Sequence, residues 1–167
     1  MSVEFIRAEV AELTETHLER VRQAARASPR GRARICLHHG YADGVQEMVV
    51  GFTRHSYAPP HRHAPGRSES FQVIEGSFLV VIFDEAGHIH RGIAMTRPEA
   101  GGTFIYRLSA PLWHTVVPIA ELSIIHEISQ GPFVEGGDDL TDWAPPASDV
   151  TGGMQFLDAR VAAWRAA

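Results

Sequence analysis

Short runs of β-forming residues, separated by turn residues, fill the middle of this chain from residue 33 to residue 130. The predicted strands cover residues 33–39, 45–54, 70–75, 77–84, 88–96, 102–108, 113–118 and 122–129. Strands this short and this closely spaced favour an all-β sandwich or barrel over a sheet built from βαβ units. The apolar run at residues 78–83 does not alternate with polar residues, so it predicts a strand that is covered on both faces.

Helical patterns flank this β-rich region. The first thirty residues are predicted to be helical, with a helix that Thr14 caps and that runs to about Ala27. Pro29 ends the helix, because proline disfavours helical geometry in the residue before it. After residue 131 the chain is irregular until a short final helix. Three apolar residues share one face of that helix: Leu157, Val161 and Trp164.

The length of 167 residues suits a single domain. We expect a helical arm over residues 1–30, a barrel over residues 31–131 and an extension over residues 132–167. The formal net charge of −5 and the pI near 6.0 argue against a nucleic acid or an anionic membrane as partner. The lone cysteine, Cys36, suits a reducing compartment. No apolar run has the length of a membrane span and the N-terminus lacks a signal-peptide pattern, so the expected location is cytoplasmic.

Three histidines and one glutamate stand in an order that predicts a mononuclear metal site. His61 and His63 are two residues apart, so on a strand their side chains point to the same face, about 7 Å apart along the chain. Glu69 opens the next strand, where it shares one face with apolar residues, and His114 follows from a distant strand. These donors suit one divalent transition metal ion, with Fe, Mn, Ni, Co, Cu and Zn all compatible.

A second His-x-His pair, His88-Ile89-His90, shows that this spacing alone is weak evidence for a metal site. The pair follows the hairpin turn Asp84-Glu85-Ala86-Gly87 and has no glutamate behind it. We therefore expect both of its histidines to be exposed to solvent and to bind no metal ion.

The order of His-x-His, glutamate, six residues, glycine and then a Pro-x-x-His turn resembles the two-part motif of the cupin superfamily. The stretch from residue 27 to residue 145 is more narrowly similar to the WbuC-type cupin-fold metalloproteins. The matching segments, in order, are Ser28-Pro29-Arg30, Leu37-His38, Tyr57-Ala58-Pro59-Pro60-His61-Arg62-His63, Phe83-Asp84-Glu85-Ala86-Gly87, Trp113-His114-Thr115 and Gly131-Pro132-Phe133. The resemblance implies a small β jelly roll with a metal ion inside the mouth of the barrel. It also implies the ligands His61, His63, Glu69 and His114.

Two positions depart from the cupin pattern. Five residues separate His63 from Glu69, where the pattern usually has three or four. The Pro65-Gly66 turn must therefore absorb one residue if Glu69 is to coordinate the ion. Pro111 stands where a glycine often precedes the second-half histidine by three positions, which changes the turn but leaves His114 in place.

Three further residues are candidates for contacts around the metal ion. His126 shares its parity with the apolar residues of its strand, so we expect it to face inward. A hydrogen-bonded core histidine is favoured there over a partner of the metal site. Tyr106 also alternates with apolar residues, and core packing is favoured over a hydroxyl in the cavity. Arg67 stands two residues before Glu69, where it either reaches an anion entering the site or remains a solvated surface charge.

Four protein ligands on an octahedral ion leave two positions open, as catalysis requires. The leading hypothesis is a small metalloenzyme that binds an oxygen-rich anion or a sugar derivative and uses its ion as a Lewis acid or oxygenase centre. The second is a noncatalytic module in which the metal stabilises the barrel and the pocket senses a metabolite. The third is a metal-independent sugar isomerase or epimerase, which needs a histidine with an aspartate or tyrosine partner. The exposed sheet edges of a jelly roll also favour a homodimer.

Overall fold

Two β-sheets lie face to face and enclose the main hydrophobic core, in a computed structural model that describes residues 2–166. The strands among these residues are β1 (Ser2–Phe5), β2 (Arg32–Cys36), β3 (Val45–Thr53), β4 (His61–Arg62), β5 (Glu69–Glu75), β6 (Ser77–Phe83), β7 (Ile89–Thr96), β8 (Ile105–Leu108), β9 (Trp113–Pro118), β10 (Leu122–Gln130) and β11 (Asp139–Leu140). The helices are α1 (Glu15–Ala27) and α2 (Val150–Ala166), with a short 3₁₀ turn at Pro98–Ala100. Neither helix of residues 2–166 is long and apolar enough to cross a membrane.

The chain crosses from one sheet to the other at most of its turns. One sheet has the strand order β1-β2-β3-β10-β5-β8, and the other has the order β11-β4-β9-β6-β7. From β3 to β11, successive strands alternate between the two sheets except at the β6–β7 hairpin. This is a jelly-roll arrangement, and with a helix near each end it confirms the predicted all-β, cupin-type fold.

Strand β6 is covered on both faces, as its unbroken apolar run predicts. The residues that point between the sheets into the main core are Phe78, Val80 and Ile82. The residues that point the other way, into a second cluster, are Leu79, Val81 and Phe83. Leu157 and Val161 of α2 are buried in that second cluster, so the final helix covers the outer face of this sheet.

Helix α1 covers the outer face of the other sheet. Thr14 is its N-cap and Ala27 its last residue, in agreement with the sequence prediction. Val21 and Ala25 are buried on the face that contacts β2 and β3. The strands beneath α1 therefore carry apolar residues on both faces, one set under the helix and the other in the barrel core.

The prediction that the first thirty residues are helical is wrong for residues 2–14, because α1 begins at Glu15 and residues 2–5 form a strand. Strand β1 lies parallel to β2, with Val3 opposite Arg34 and Phe5 opposite Cys36. Val3 and Phe5 pack against the main core, whereas Glu4 between them does not. A run of four residues is too short for its alternation to be distinguished from a helical pattern.

Candidate metal centre

The four predicted ligands meet in the mouth of the barrel. His61 on β4 lies directly opposite His114 on β9, and Glu69 begins β5 in the other sheet. Potential donor atoms of these residues and of His63 all lie within 4.8 Å of one another. Donors placed about 2.1 Å from a common ion are separated by about 3 to 4 Å. The four residues, called the metal cluster below, are therefore close enough to hold one ion.

Two of the imidazoles are oriented by main-chain carbonyl groups two residues earlier. Nδ1 of His61 lies 3.2 Å from the carbonyl oxygen of Pro59. Nδ1 of His114 lies 2.9 Å from the carbonyl oxygen of Leu112. A carbonyl oxygen can only accept a hydrogen bond, so Nδ1 carries the proton in both rings. Nε2 then keeps its lone pair, which is the form in which histidine binds a metal ion.

The third imidazole is oriented by a carboxylate that the sequence did not single out. Nδ1 of His63 donates to Asp138 Oδ1 at 2.8 Å, and Nη1 of Arg67 donates to the same oxygen at 3.3 Å. The Arg67 side chain is only 14% exposed, so it belongs to the mouth of the site and is not a solvated surface charge. Asp138 is 75 residues from His63 in sequence, and no spacing rule connects the two.

The carboxylate of Glu69 lies between two of the rings. Oε2 is 3.0 Å from His63 Nε2, and Oε1 is 2.9 Å from His114 Nε2. The second contact is not aligned as a hydrogen bond, so among residues 2–166 neither Oε1 nor His114 Nε2 has a hydrogen-bond partner. Buried polar atoms normally have one. An ion between these atoms would engage both, and the donor set therefore fits a metal.

An additional turn brings Glu69 into reach despite the lengthened loop after His63. The Arg67 N–H donates to the carbonyl oxygen of Ala64 at 3.1 Å, which closes the turn. Gly66 adopts a φ of +85° there, a conformation that glycine enters without steric cost. The turn thus accommodates the fifth residue of the loop, and the Glu69 carboxylate lies within the metal cluster.

The protonation of the metal cluster follows from its burial and its contacts. Burial and the neighbouring His114 lower the pKa of His61 to about 4. Burial disfavours the charged form of His63 as well, but hydrogen bonds to Asp138 and Glu69 prevail and raise its pKa to about 9. Burial raises the pKa of Glu69, whereas contacts with the His114 and His63 rings lower it by more, so it lies well below its usual range. A metal ion that binds at neutral pH therefore displaces a proton from His63.

Contrary to expectation, His126 faces away from the metal cluster. Its Nε2 lies 2.8 Å from Glu47 Oε1, in a surface pocket that Leu13 also lines. Ile124, which shares its parity, is buried in the cluster beneath α1. The prediction is wrong because β10 carries apolar residues on both faces. Apolar residues at alternate positions therefore do not show which face of the strand points into the barrel.

Glu127, the next residue of β10, points into the barrel instead. It lines the cavity beside His61 and Glu69, and its strand neighbours are Met48 of β3 and Phe71 of β5. Burial, followed by the negative charge of Glu69, raises the pKa of Glu127 to about 7. A carboxyl group with this pKa can donate or accept a proton near neutral pH. Sequence reasoning missed it, because a charged residue in a strand ordinarily predicts a solvent-facing position.

Tyr106 lies in the main core, where its ring centroid is 5.6 Å from that of Phe71. Its hydroxyl is buried without a hydrogen-bond partner among residues 2–166, and burial together with Glu69 raises its pKa.

The histidines of the second His-x-His pair, His88 and His90, are both exposed, as expected. His88 Nδ1 lies 3.2 Å from Asp84 Oδ2 within its own hairpin.

Two cavities open beside the metal cluster. The larger has a volume of about 330 Å³ and is lined by apolar side chains together with Arg32 and Arg34. The smaller has a volume of about 110 Å³ and is lined by polar residues that include Arg67 and Asp138. Arg34 and Glu127 line both cavities. The arrangement leaves room for a small molecule next to a bound ion.

Asp138→Asn is expected to weaken metal binding about 10- to 100-fold, because an asparagine holds the His63 ring less firmly in its ligand orientation. The neighbouring variant Asp139→Asn is the matched control, since Asp139 is exposed and pairs with Arg62. Competition with a chromophoric chelator measures both affinities. Equal affinities of the two variants would show that Asp138 does not support His63.

Comparisons with known proteins specify no activity for this chain. A family model described as a domain of unknown function, DUF6016, matches residues 13–95, which include three of the four residues of the metal cluster. No curated protein matches the sequence. The chain has a cupin-type jelly-roll fold, with the metal cluster in the mouth of its barrel.

Several solved structures are similar at low identity. A cupin superfamily protein from Desulfitobacterium hafniense is 11% identical, with a TM-score of 0.46 over 59% of this chain and 76% of that chain. KdgF from Halomonas sp. is 17% identical, with a TM-score of 0.48 over 66% and 87% of the two chains. An HTH_3 family transcriptional regulator from Vibrio cholerae is 20% identical, with a TM-score of 0.45 over 61% of this chain. The matched region spans only 52% of that regulator.

Proposed function

We propose that the protein is a cytoplasmic, WbuC-type cupin metalloenzyme that holds one divalent transition metal ion in the metal cluster and acts on a small oxygen-rich anion. The observation that carries the proposal is the common orientation of the three imidazoles. Each has Nδ1 against an acceptor, so that Nε2 of each ring points into the cluster, and Nε2 of His63 becomes a ligand once its proton is lost. The buried atoms without partners, on Glu69 and His114, support a metal site over an ordinary polar core.

A divalent ion with open coordination positions supplies Lewis-acid or redox chemistry to a bound substrate. The chain's own groups provide the surrounding functions. Glu127 is placed to give or take a proton in the cavity, since it lies beside the metal cluster with a pKa near neutrality. Apolar side chains such as Phe71 and Val116 line the larger cavity and limit the entry of water.

Glu127→Gln is expected to remove a pH dependence from the stability of the chelator-treated protein. The folded-state pKa of about 7 lies above the ordinary value of 4.5. The protonated carboxyl group therefore favours folding below pH 4.5, and this contribution is lost as the pH rises through 7. At about 1.4 kcal/mol per pKa unit, reduced for partial exposure, the wild type should lose about 2 kcal/mol more than the variant over this interval. Urea unfolding across the pH range measures the difference, and parallel profiles would contradict it.

The metal-independent alternative finds one supporting observation, because His63 and Asp138 form a histidine–aspartate pair. In such an isomerase, the other ring nitrogen must be free to exchange a proton with the substrate. Here His63 Nε2 lies 3.0 Å from Glu69 Oε2 and faces a carboxylate. The pair is therefore better suited to orienting a metal ligand than to catalysing proton transfer.

The proposal is tested by incubating small hydroxy acids, keto acids and sugar acids with protein that has been loaded separately with iron, manganese or zinc. Nuclear magnetic resonance monitors the turnover. We expect conversion of at least one acid with one of the ions, and its loss in His114→Ala. Activity that survives both chelation and this substitution would support the metal-independent isomerase. Binding without conversion under every condition would support the noncatalytic module and overturn the enzyme.

A further inference from the structure

Two arginines of β2 enter the barrel beside the metal cluster. Arg32 and Arg34 alternate with Ala33 and Ile35, and Ile35 is buried beneath α1 on the outer face. Cys36 shares the parity of the arginines and is buried in the main core. Both arginine side chains therefore start from the inner face of the sheet, and both line the larger cavity.

Neither guanidinium group has an acidic partner among residues 2–166. Nη1 of Arg34 makes a single weak hydrogen bond among residues 2–166, to Met48 Sδ at 3.9 Å, and Nε is buried without a hydrogen-bond partner in both arginines. Other partly buried arginines of the chain are paired: Arg62 with Asp139, for example, at 3.0 Å. Buried guanidinium groups are normally paired, because removing their charge from water is costly.

The acidic residues that share this cavity with the two arginines are Glu69, Glu127 and Asp138. None of them forms an ion pair with Arg32 or Arg34 within 4.0 Å, and Glu69 and Asp138 contact histidines of the metal cluster instead. The raised pKa of Glu127 also keeps part of its population uncharged at neutral pH. The positive charge of Arg32 and Arg34 is therefore left for a ligand to neutralise.

The rest of the larger cavity constrains the shape of that ligand. Its volume is about 330 Å³, and it contains both the arginine pair and three residues of the metal cluster, His61, Glu69 and His114. Apolar side chains, including Phe52 and Phe71, complete the lining. A ligand that reaches both polar regions is thus a small molecule with two polar ends and a short carbon chain.

We infer that Arg32 and Arg34 bind an anionic end group, a carboxylate or a phosphate, of a small acid whose other end reaches the metal cluster. The planar guanidinium fork matches the oxygens of both groups and binds them through charge-assisted hydrogen bonds. The substrate class is then a short-chain diacid or a phosphorylated acid. This inference rests on the proposed metal-dependent function and specifies its substrate. Both arginines act by binding the substrate directly.

Calorimetric titration of zinc-loaded protein with succinate, glutarate and phosphoglycolate tests the inference, with butyrate as the singly charged comparison. We expect Arg32→Gln and Arg34→Gln each to weaken binding of the doubly charged acid at least about tenfold and to leave butyrate unchanged. Arg54→Gln is the matched control, because the Arg54 side chain is 60% exposed and pairs with Glu121 at 3.7 Å. The acid that binds the wild type more tightly identifies the end group as carboxylate or phosphate.

Metal content and thermal unfolding are measured for every variant, so that a lost metal site is not mistaken for a lost anion site. Where a glutamine variant does not fold, Arg34→Lys replaces it and should retain only part of the affinity, because lysine lacks the planar fork. Repeating the titration on chelator-treated protein separates the two claims. Acid binding that is equally tight with and without metal, and that the arginine variants lose in both states, would overturn the contact with the metal and keep the anion site. Unchanged binding in these variants, or no binding by the wild type, would overturn the inference.

Discussion

The double variant His61→Ala/His63→Ala should lose its metal almost completely, from near one ion per chain to below about a tenth of that value. The substitution removes two of the four side chains that converge in the mouth of the barrel. The remaining pair, Glu69 and His114, cannot enclose an ion by themselves. Inductively coupled plasma mass spectrometry on protein purified without a metal-affinity tag measures the content.

The chain supplies a matched control for this experiment in its second His-x-His pair. His88 and His90 have the same spacing, but both are exposed and lie outside the metal cluster. The variant His88→Ala/His90→Ala should therefore retain the full metal content. If it loses metal while the first variant keeps it, the ligand assignment is wrong.

Gly76→Ala should reduce the free energy of unfolding by about 3 to 4 kcal/mol, more than any other substitution named above. Gly76 joins β5 to β6 with a φ of +74°, a conformation that a side chain makes costly. An added Cβ would overlap the carbonyl oxygen of Leu122 and lie 2.6 Å from Ser123 Oγ. Because these atoms belong to a packed strand, the clash cannot be relieved locally. The melting temperature should fall by about 10 °C.

Gly101→Ala is the control for the Gly76 variant. Gly101 has nearly the same φ, +75°, but no atom lies within 4 Å of an added Cβ. It should lose only about 1 kcal/mol, the conformational cost alone. Urea unfolding of both chelator-treated variants measures the difference. Equal losses would show that the close approach to β10 contributes nothing.

The fold could be predicted well where the local pattern is unambiguous. The interior strands are separated by turn residues, and β6 shows no alternation because one sheet face packs in the barrel and the other lies beneath α2. The strands that were missed are β1, β4 and β11, which have two to four residues each. Such strands are defined by pairing with partners distant in sequence, and no local periodicity indicates them.

The His61/His63 pair was predictable because its spacing reflects strand geometry, and Glu69 and His114 were predictable from the resemblance to the cupin motif. The surroundings of the metal cluster depend on the tertiary fold. Asp138 contacts His63 only because β11 pairs with β4. Sequence reasoning also chose His126 over Glu127 as the inward-facing residue of β10. The choice failed because β10 carries apolar residues on both faces, one of them covered by α1. A charged residue such as Arg34 is likewise expected on the surface from sequence alone, although its side chain lines the cavity inside the barrel.

Anomalous X-ray scattering from crystals of untagged protein tests whether the metal cluster holds an ion. We expect one strong peak per chain, enclosed by Nε2 of the three histidines and the carboxylate of Glu69. The absorption edge at which the peak appears would also identify the element. Metal-replete crystals with no peak at this position, or with the peak at His88 and His90 instead, would show that these four residues do not bind the ion.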